Sequence, residues 1–160
     1  MSDPRRAGAL AAGLVFAADQ ASKWAVVAHF APPGAPIAVT PFVNLTLVWN
    51  TGISFGLLPS AAPAHRWVLI AIAAAIAGGL GLWLWRSRAR LPAVALGLVI
   101  GGALANIADR LGRGAVVDFL DFHVAGWHWP AFNLADSGIS VGVALLVIDS
   151  LFGSGRSTKT

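Results

Sequence analysis

Two aspartates with apolar neighbours are the residues of this sequence whose types and spacing favour chemistry. Asp118 lies in Val116–Phe119, and Asp136 lies 18 residues further on, in Phe132–Ser137. Two carboxylates held close together cannot both ionise at low cost, so the pair shares one proton. One carboxyl group can accept a proton from water while the other donates to a carbonyl oxygen, which hydrolyses a peptide bond without a covalent intermediate. The spacing equally allows two acids that merely cap helix ends.

A second group of polar residues lies inside or at the end of apolar segments. Asp19 and Lys23 are four residues apart and share a helix face, which favours an intrahelical ion pair over a direct chemical role. Asn106, Asp109 and Arg110 also have helical spacing. We interpret these three as a polar cluster that braces a site, because ionisable residues within a membrane are costly and are usually functional.

Other reaction types are less well supported. The chain has no cysteine, which excludes a thiol nucleophile, disulfides and thiolate metal sites. Ser22 and Lys23 are adjacent, so on a helix they point in different directions and make a poor serine–lysine pair. The acids and histidines within 118–128 could be imagined as metal ligands, but no HExxH motif is present and we predict no metal site.

The composition indicates a membrane protein with a single domain over residues 1–160. Charged residues make up only 11% of the chain, whereas a soluble domain carries about 25%. A helix needs about 20 residues to cross a bilayer core. The apolar stretches predict a mainly α-helical fold with four transmembrane helices, at about 7–30, 67–85, 91–112 and 134–152, and outer segments at about 31–66 and 113–133.

Basic residues indicate the orientation, because Lys and Arg concentrate in cytoplasmic loops. One side of a four-helix arrangement receives Arg5, Arg6, Arg86, Arg88, Arg90, Arg156 and Lys159. We therefore expect both termini in the cytoplasm and both outer segments, with Asp118 and Asp136, on the other face. Since orientation explains these bases, the net charge of +4 does not indicate nucleic-acid binding.

The first apolar stretch could instead be a cleaved signal peptide, since Arg5 and Arg6 precede it. We favour a retained helix, because Asp19 and Lys23 lie where a cleavage site would need small residues. The segment after this helix contains Ile37–Trp49, whose β-branched and aromatic residues predict one or two strands on the membrane surface.

Pairs of glycines four residues apart occur in the third and fourth predicted helices. Gly97 and Gly101 form one pair, and Gly138 and Gly142 form the other. Small residues at this spacing let helices approach closely in lipid, so we predict tight helix packing there.

Polar and small residues also form four blocks along the chain, which are Asp19-Gln20-x-Ser22-Lys23, Asn50-Thr51-Gly52-Ile53-Ser54-Phe55, Asn106-x-x-Asp109-Arg110-x-x-x-Gly114-x-Val116-Val117-Asp118-Phe119 and Phe132-Asn133-x-Ala135-Asp136-Ser137. Together, in this order, they resemble the blocks of bacterial lipoprotein signal peptidase, the signal peptidase II family. The resemblance covers nearly the whole chain. Ser54 stands where the family usually has Ala, and Ala105 where it usually has Gly, and both are exchanges between small residues.

The resemblance implies an aspartyl peptidase of the bacterial inner membrane, with four transmembrane helices and a β-rich cradle on the outer face. It implies removal of the signal peptide from prolipoproteins, just before a cysteine that carries diacylglycerol. Asp118 and Asp136 would be the catalytic pair. The residues that would line or brace the site are Asp19, Lys23, Asn50, Gly52, Asn106, Asp109, Arg110 and Asn133. The family implies no metal or organic cofactor, membrane lipid as surroundings, and a mechanism for which a monomer suffices.

Two alternatives remain open from the residues alone. The intramembrane acids could carry protons or ions in a small transporter, although the chain has no internal repeat of the kind common in transporters. The chain could also be a non-catalytic assembly or anchoring protein, in which case both Asp118 and Asp136 would tolerate replacement by Asn.

Overall fold

Four helices and a small antiparallel sheet make up residues 3–30, 34–52 and 64–152, the part of the chain that a computed structural model describes. The helices are α1 (Pro4–Phe30), α2 (Ala64–Arg86), α3 (Arg90–Gly112) and α4 (Leu134–Phe152). The strands are β1 (Ile37–Thr40), β2 (Val43–Asn50), β3 (Val116–Val124) and β4 (Trp127–His128). This arrangement confirms the predicted mainly helical class with a small β-rich part. The predicted features at Ile53–Phe55, Arg156 and Lys159 lie outside the described residues.

The first helix begins at Pro4, whereas the apolar stretch predicts a start at about residue 7. Asp3 precedes the helix, and its Oδ1 accepts the backbone N–H of Arg5 at 3.0 Å. Pro4 occupies the first helical position, where its missing N–H costs nothing. An aspartate cap followed by proline thus starts α1 a turn earlier than hydrophobicity alone indicates.

Within the described ranges, three helical segments are long and apolar enough to cross a membrane, namely His65–Arg86, Arg90–Gly112 and Leu134–Phe152. The apolar side chains of α2 are largely unburied, and Ile72, Ile76 and Leu82 are each more than half exposed. An apolar helix with so few protein contacts needs lipid around it. The fold is therefore that of an integral membrane protein.

Helix α3 lies at the centre of the bundle and contacts α1, α2 and α4. Side chains added at Gly97 and Gly101 would collide with the backbone of Gly8 and Ala12 on α1. A side chain added at Gly142 would lie 2.6 Å from the carbonyl oxygen of Ala95. The predicted close packing at both glycine pairs is confirmed at these positions, because only glycine allows the backbones to approach this closely.

The sheet has the strand order β1-β2-β3-β4, with every neighbouring pair antiparallel. The sequence predicts strands only before α2, but β3 and β4 come from the segment between α3 and α4. Val117 and Phe119 of β3 pack with Phe30 at the end of α1. Phe132 forms a bridge with Leu120 of β3, so the chain enters α4 beside the strand that carries Asp118.

Candidate active site

The first turn of α4 is organised by Asn133, the residue directly before the helix. Its Oδ1 accepts the backbone N–H of Asp136 at 2.9 Å, which satisfies one of the amides that a helix start leaves without a partner. Its backbone oxygen accepts the hydroxyl of Ser137 at 3.0 Å. Its Nδ2 donates to Asp118 Oδ1 at 2.6 Å. Asn133 therefore links the two aspartates that the sequence pairs.

Asp136 also receives an amide donor from α3. Asn106 Nδ2 donates to Asp136 Oδ1 at 2.8 Å. Lys23 Nζ donates to Asn106 Oδ1 at 3.0 Å. Because an ammonium group can only donate, the Asn106 amide must direct its oxygen at Lys23 and its NH2 group at Asp136. A lysine on α1 thus sets the orientation of the donor that Asp136 binds.

Asp118 has a second amide donor at the end of β2. Asn50 Nδ2 donates to Asp118 Oδ2 at 2.9 Å. Asn50 Oδ1 accepts the backbone N–H of Gly52 at 2.7 Å, so the chain turns directly after the asparagine. Gly52 has a φ of 90°, which residues with a side chain rarely adopt. Gly52 therefore acts on the site through the orientation of Asn50.

Lys23 is fully buried and is neutralised by two carboxylates. Its Nζ lies 2.7 Å from Asp19 Oδ2 and 2.8 Å from Asp109 Oδ2. The predicted ion pair between Asp19 and Lys23 is confirmed, and Asp109 joins it from α3. A buried ammonium group without such partners would be strongly unfavourable.

Asp19 and Asp109, the two carboxylates that pair with Lys23, also accept backbone N–H groups next to the candidate catalytic aspartates. Asp19 Oδ1 accepts the backbone N–H of Ala135, which precedes Asp136, at 2.8 Å. Asp109 Oδ2 accepts the backbone N–H of Val117, which precedes Asp118, at 3.2 Å. The cluster therefore fixes the backbone that carries both carboxyl groups.

The surroundings of Asp118 favour its protonated form. The residue is 2% exposed, and this burial is the largest cause that raises its pKa. The hydrogen bonds from Asn50 and Asn133 lower the pKa, and the neighbouring charge of Asp136 raises it. The balance raises the pKa of Asp118 to about 6. The carboxyl group can therefore gain or lose a proton near neutral pH.

Arg110, in the last turn of α3, brings a positive charge to the pair. Its Nη1 donates to the backbone oxygen of Asn106 at 3.4 Å. Its charge acts on Asp136 and Asp118, in that order of strength. Within the described part of the chain, its buried Nε has no hydrogen-bond partner. Arg110 thus interacts electrostatically with both aspartates and has a buried donor that is not used within the described residues.

Each carboxyl group borders an opening. Asp118 lines a cavity of about 290 Å³ together with Trp49, Asn50 and Pro130. Asp136 lines another of about 470 Å³, whose other lining residues are Phe122, Trp129, Phe132, Ser137, Ser140 and Val141. Each carboxyl group is therefore accessible from a cavity.

The structure brings all the predicted site residues into one connected hydrogen-bond group, with Gly52 attached through Asn50. Further members of this group were not predicted as site residues, among them Gln20 and Arg113. Gln20 Nε2 donates to Asp109 Oδ1 at 3.1 Å, and Arg113 forms an ion pair with the same oxygen. Arg113 follows Asp109 by four residues, so its helical spacing is a signal that could have identified it.

Asp121 does not belong to this group. Its carboxylate accepts Asn44 Nδ2 at 2.9 Å, and His128 Nδ1 lies 2.7 Å and 2.9 Å from its two oxygens. Burial raises the pKa of Asp121, but these hydrogen bonds outweigh it, so that the pKa is lowered. The three residues tie β2, β3 and β4 together. Among the described residues, no group of three or more His and Asp side chains is arranged to hold a metal ion.

Solved structures with the same fold include a bacterial membrane enzyme determined by the in meso method at 2.3 Å resolution. The alignment covers 96% of this chain and 93% of that one, with a TM-score of 0.79 and 31% sequence identity. A second such structure, at 1.9 Å resolution, gives a TM-score of 0.79 and 32% identity over 91% of this chain and 92% of the other.

Sequence relatives cover most of the chain. A protein of Burkholderia mallei (strain SAVP1) named lipoprotein signal peptidase is 49% identical over 139 residues, which are 86% of this chain and 83% of the relative. Proteins of the same name from Burkholderia thailandensis and Burkholderia vietnamiensis are 48% and 47% identical over the same share of each chain. The family model described as signal peptidase (SPase) II matches residues 11–152. Since this model covers most of the chain and these relatives are nearly half identical to it, this chain belongs to the signal peptidase II family.

Proposed function

We propose that this chain is a lipoprotein signal peptidase that removes the signal peptide from prolipoproteins with a diacylglyceryl cysteine, and that Asp118 and Asp136 perform the hydrolysis. The observation that supports this is the bridge formed by Asn133, which contacts both aspartates. Each carboxyl group also borders a cavity. Acids that only cap helices would need neither the bridge nor the openings.

Asp118 holds the proton that the pair shares. It is almost fully buried and has a raised pKa. Asp136 is half-buried, accepts an amide from Asn106 and lies near the charge of Arg110, so we assign it the role of the base. Asp136 accepts a proton from water as the water oxygen attacks the scissile carbonyl carbon. Asp118 donates its proton to the carbonyl oxygen, and a tetrahedral diol forms without a covalent bond to the protein.

Collapse of the diol restores the pair. The carbon–nitrogen bond breaks as the leaving nitrogen takes the proton from Asp136, and a diol hydroxyl returns a proton to Asp118. Water and two carboxyl groups suffice for this cycle, so we expect a chelator to leave the rate unchanged. The amide donors on both carboxylates hold them in place throughout, which reduces the reorganisation that the reaction needs.

The position of the site supports an outward-facing orientation. The side chain of Arg5 lies over the ring of Trp85, 4.9 Å from its centroid, so the start of α1 and the end of α2 share one end of the bundle. The sheet packs against Phe30, at the opposite end of α1. We infer that the arginine-rich end faces the cytoplasm and that the aspartate pair lies at the outer surface, where water is available.

Helix α1 is the fourth membrane span in this proposal, and the protein acts as a monomer with one domain over residues 1–160. The charges of Asp19 and Lys23 pair within the protein, which makes them tolerable in a helix that crosses lipid. The alternative of a proton- or ion-coupled transporter is not favoured, because Lys23 also pairs with Asp109 and the family is one of peptidases.

The proposal is tested with the purified full chain in lipid nanodiscs and a synthetic precursor whose cysteine carries diacylglycerol. Mass spectrometry should identify a product that begins with the lipidated cysteine. The same precursor without the lipid should be cleaved far more slowly. Cleavage at another bond, or no cleavage of the lipidated precursor, would rule out this function.

A further inference from the structure

An apolar surface continues from the cavity beside Asp136 towards the free edge of the sheet. Side chains alternate between the two faces of a strand, so Phe122 and Val124 lie on the same face of β3 as Asp118. A cavity of about 340 Å³ is lined by Phe122, Val124 and Trp129 together with Trp127 and Phe42. We call these five residues the aromatic track.

The aromatic track opens directly onto the active site. Phe122 and Trp129 line both this cavity and the one that contains Asp136. The only polar side chain among the residues that line the track cavity is His123. A ligand group that leaves the aspartate pair along this path therefore meets an almost wholly apolar wall.

The track is held in a defined shape. Ala125 and Gly126 have φ values of 49° and 82°, the geometry of a tight hairpin turn between β3 and β4. The contact of His128 with Asp121 fastens β4 to β3. Trp127 and Trp129 pack edge to face with ring centroids 5.9 Å apart.

A shaped apolar surface is nonetheless exposed. Phe42, Val124, Trp127 and Trp129 are each more than half exposed. Exposed apolar patches of this kind mark binding sites for lipid or protein. The continuity with the Asp136 cavity indicates a ligand that reaches the site of hydrolysis, whereas a membrane anchor would need exposure alone.

We propose that the aromatic track binds one acyl chain of the substrate's diacylglyceryl group during cleavage. The inference rests on the proposed function. In that function the lipidated cysteine directly follows the scissile bond, so the glycerol must lie close to the aspartate pair. From there, one acyl chain runs along the track for more than the length of a butyryl group, and each methylene kept from water strengthens binding by about fourfold.

The chain-length dependence of cleavage tests this inference. Precursors with two butyryl or two palmitoyl chains are presented in the same nanodiscs, and kcat/KM is measured for each. We expect the wild-type protein to prefer palmitoyl by about tenfold or more. Trp129→Ala and Phe122→Ala should lower this preference by about fivefold or more. Trp24→Ala removes an exposed indole of α1 outside the track and should leave the preference unchanged.

Photolabelling gives a second measurement that does not depend on a track variant. A precursor with a diazirine in the acyl chain is bound to Asp118→Asn, which is expected not to cleave it. We expect the label within residues 122–129. A label confined to α1 and α4, or equal labelling of residues 122–129 by a diazirine phospholipid, would overturn the inference in favour of a membrane contact.

The two failures can be told apart. If the wild-type protein cleaves neither precursor, the proposed function fails. If it cleaves both with equal kcat/KM, or if the track variants lower both rates by the same factor, the acyl-chain site fails while the peptidase function stands.

Discussion

Asn133 Nδ2 lies 2.6 Å from Asp118 Oδ1, so the residue that caps α4 is bonded to a carboxylate on β3. The same side chain also caps α4, because its Oδ1 accepts the backbone N–H of Asp136. Asn133 therefore both caps the helix and donates a hydrogen bond to Asp118. In this way it contacts both aspartates at once.

Replacement of Asn133 separates its role as a helix cap from its role as a hydrogen-bond donor to Asp118. Ser is a good helix cap, so Asn133→Ser should retain most of the stability, whereas Asn133→Ala should lose about 1 kcal/mol of it. Both variants lose the donor to Asp118. Asp118 becomes charged as it gives up its proton, and a hydrogen bond to a charged group contributes about 1.5–3 kcal/mol, so kcat should fall by about tenfold or more in both. Thermal unfolding and cleavage kinetics check this, and full activity of Asn133→Ser would show that the donor is dispensable.

Replacement of Lys23 should lower the stability of the protein strongly, because two buried carboxylates depend on its charge. Lys23→Met would leave Asp19 and Asp109 buried without their cation, which costs about 3–5 kcal/mol. Arg113→Met removes a partly exposed partner of the same Asp109 and should cost less than about 1 kcal/mol. Thermal unfolding of both variants in nanodiscs provides the comparison. Equal effects would contradict a specific role for the buried lysine.

Glycine replacements test the helix contacts. Gly97→Ala would place a methyl group against the backbone of Gly8, and the resulting overpacking should destabilise the protein by about 1–3 kcal/mol. Gly81 has open space around its Cα, so Gly81→Ala should be neutral or stabilise by up to about 1 kcal/mol. The unfolding temperatures of both variants are compared with that of the wild type. We expect a decrease for Gly97→Ala and no decrease for Gly81→Ala. A stable Gly97→Ala protein would mean that α1 and α3 are not in close contact.

The stability of the protein should depend on the charge of Asp118. Its folded pKa of about 6 lies above the ordinary value of 3.8, so the folded state binds the proton more tightly than the unfolded state does. This contribution is fully present below pH 3.8 and is lost as the pH rises through about 6. The wild type should therefore lose stability between pH 5 and pH 7.5 relative to Asp118→Asn. Parallel unfolding temperatures of the two proteins over this range would argue against a raised pKa.

Residue spacing within one helix predicts part of the site. The other contacts depend on how the strands pair and how the helices pack. The ion pair of Asp19 and Lys23 follows from one helical turn, and the sequence shows it directly. The bonds from Asn50 and Asn133 to Asp118 depend on the pairing of β2 with β3 and on the return of the chain to α4. No pattern in the sequence specifies that register, so only the family blocks indicate these partners.

The second half of the sheet shows why a strand can be missed. In β3 the acids Asp118 and Asp121 are three residues apart and both faces carry apolar side chains, so the alternation typical of a half-buried strand is absent. One face packs on the end of α1, whereas the other borders the site cavities. A strand that packs in the core on one face and lines cavities with the other has no continuous polar face by which to recognise it.

The proton-sharing pair itself is tested most directly by the cleavage rate of three isosteric variants, Asp118→Asn, Asp136→Asn and Asp149→Asn. The third is a control on the same helix as Asp136, near its far end. All three should insert and fold, which size-exclusion and unfolding profiles can establish. We predict that Asp118→Asn and Asp136→Asn each abolish cleavage of the diacylglyceryl precursor and that Asp149→Asn retains the wild-type rate. Wild-type cleavage by either of the first two would contradict the account.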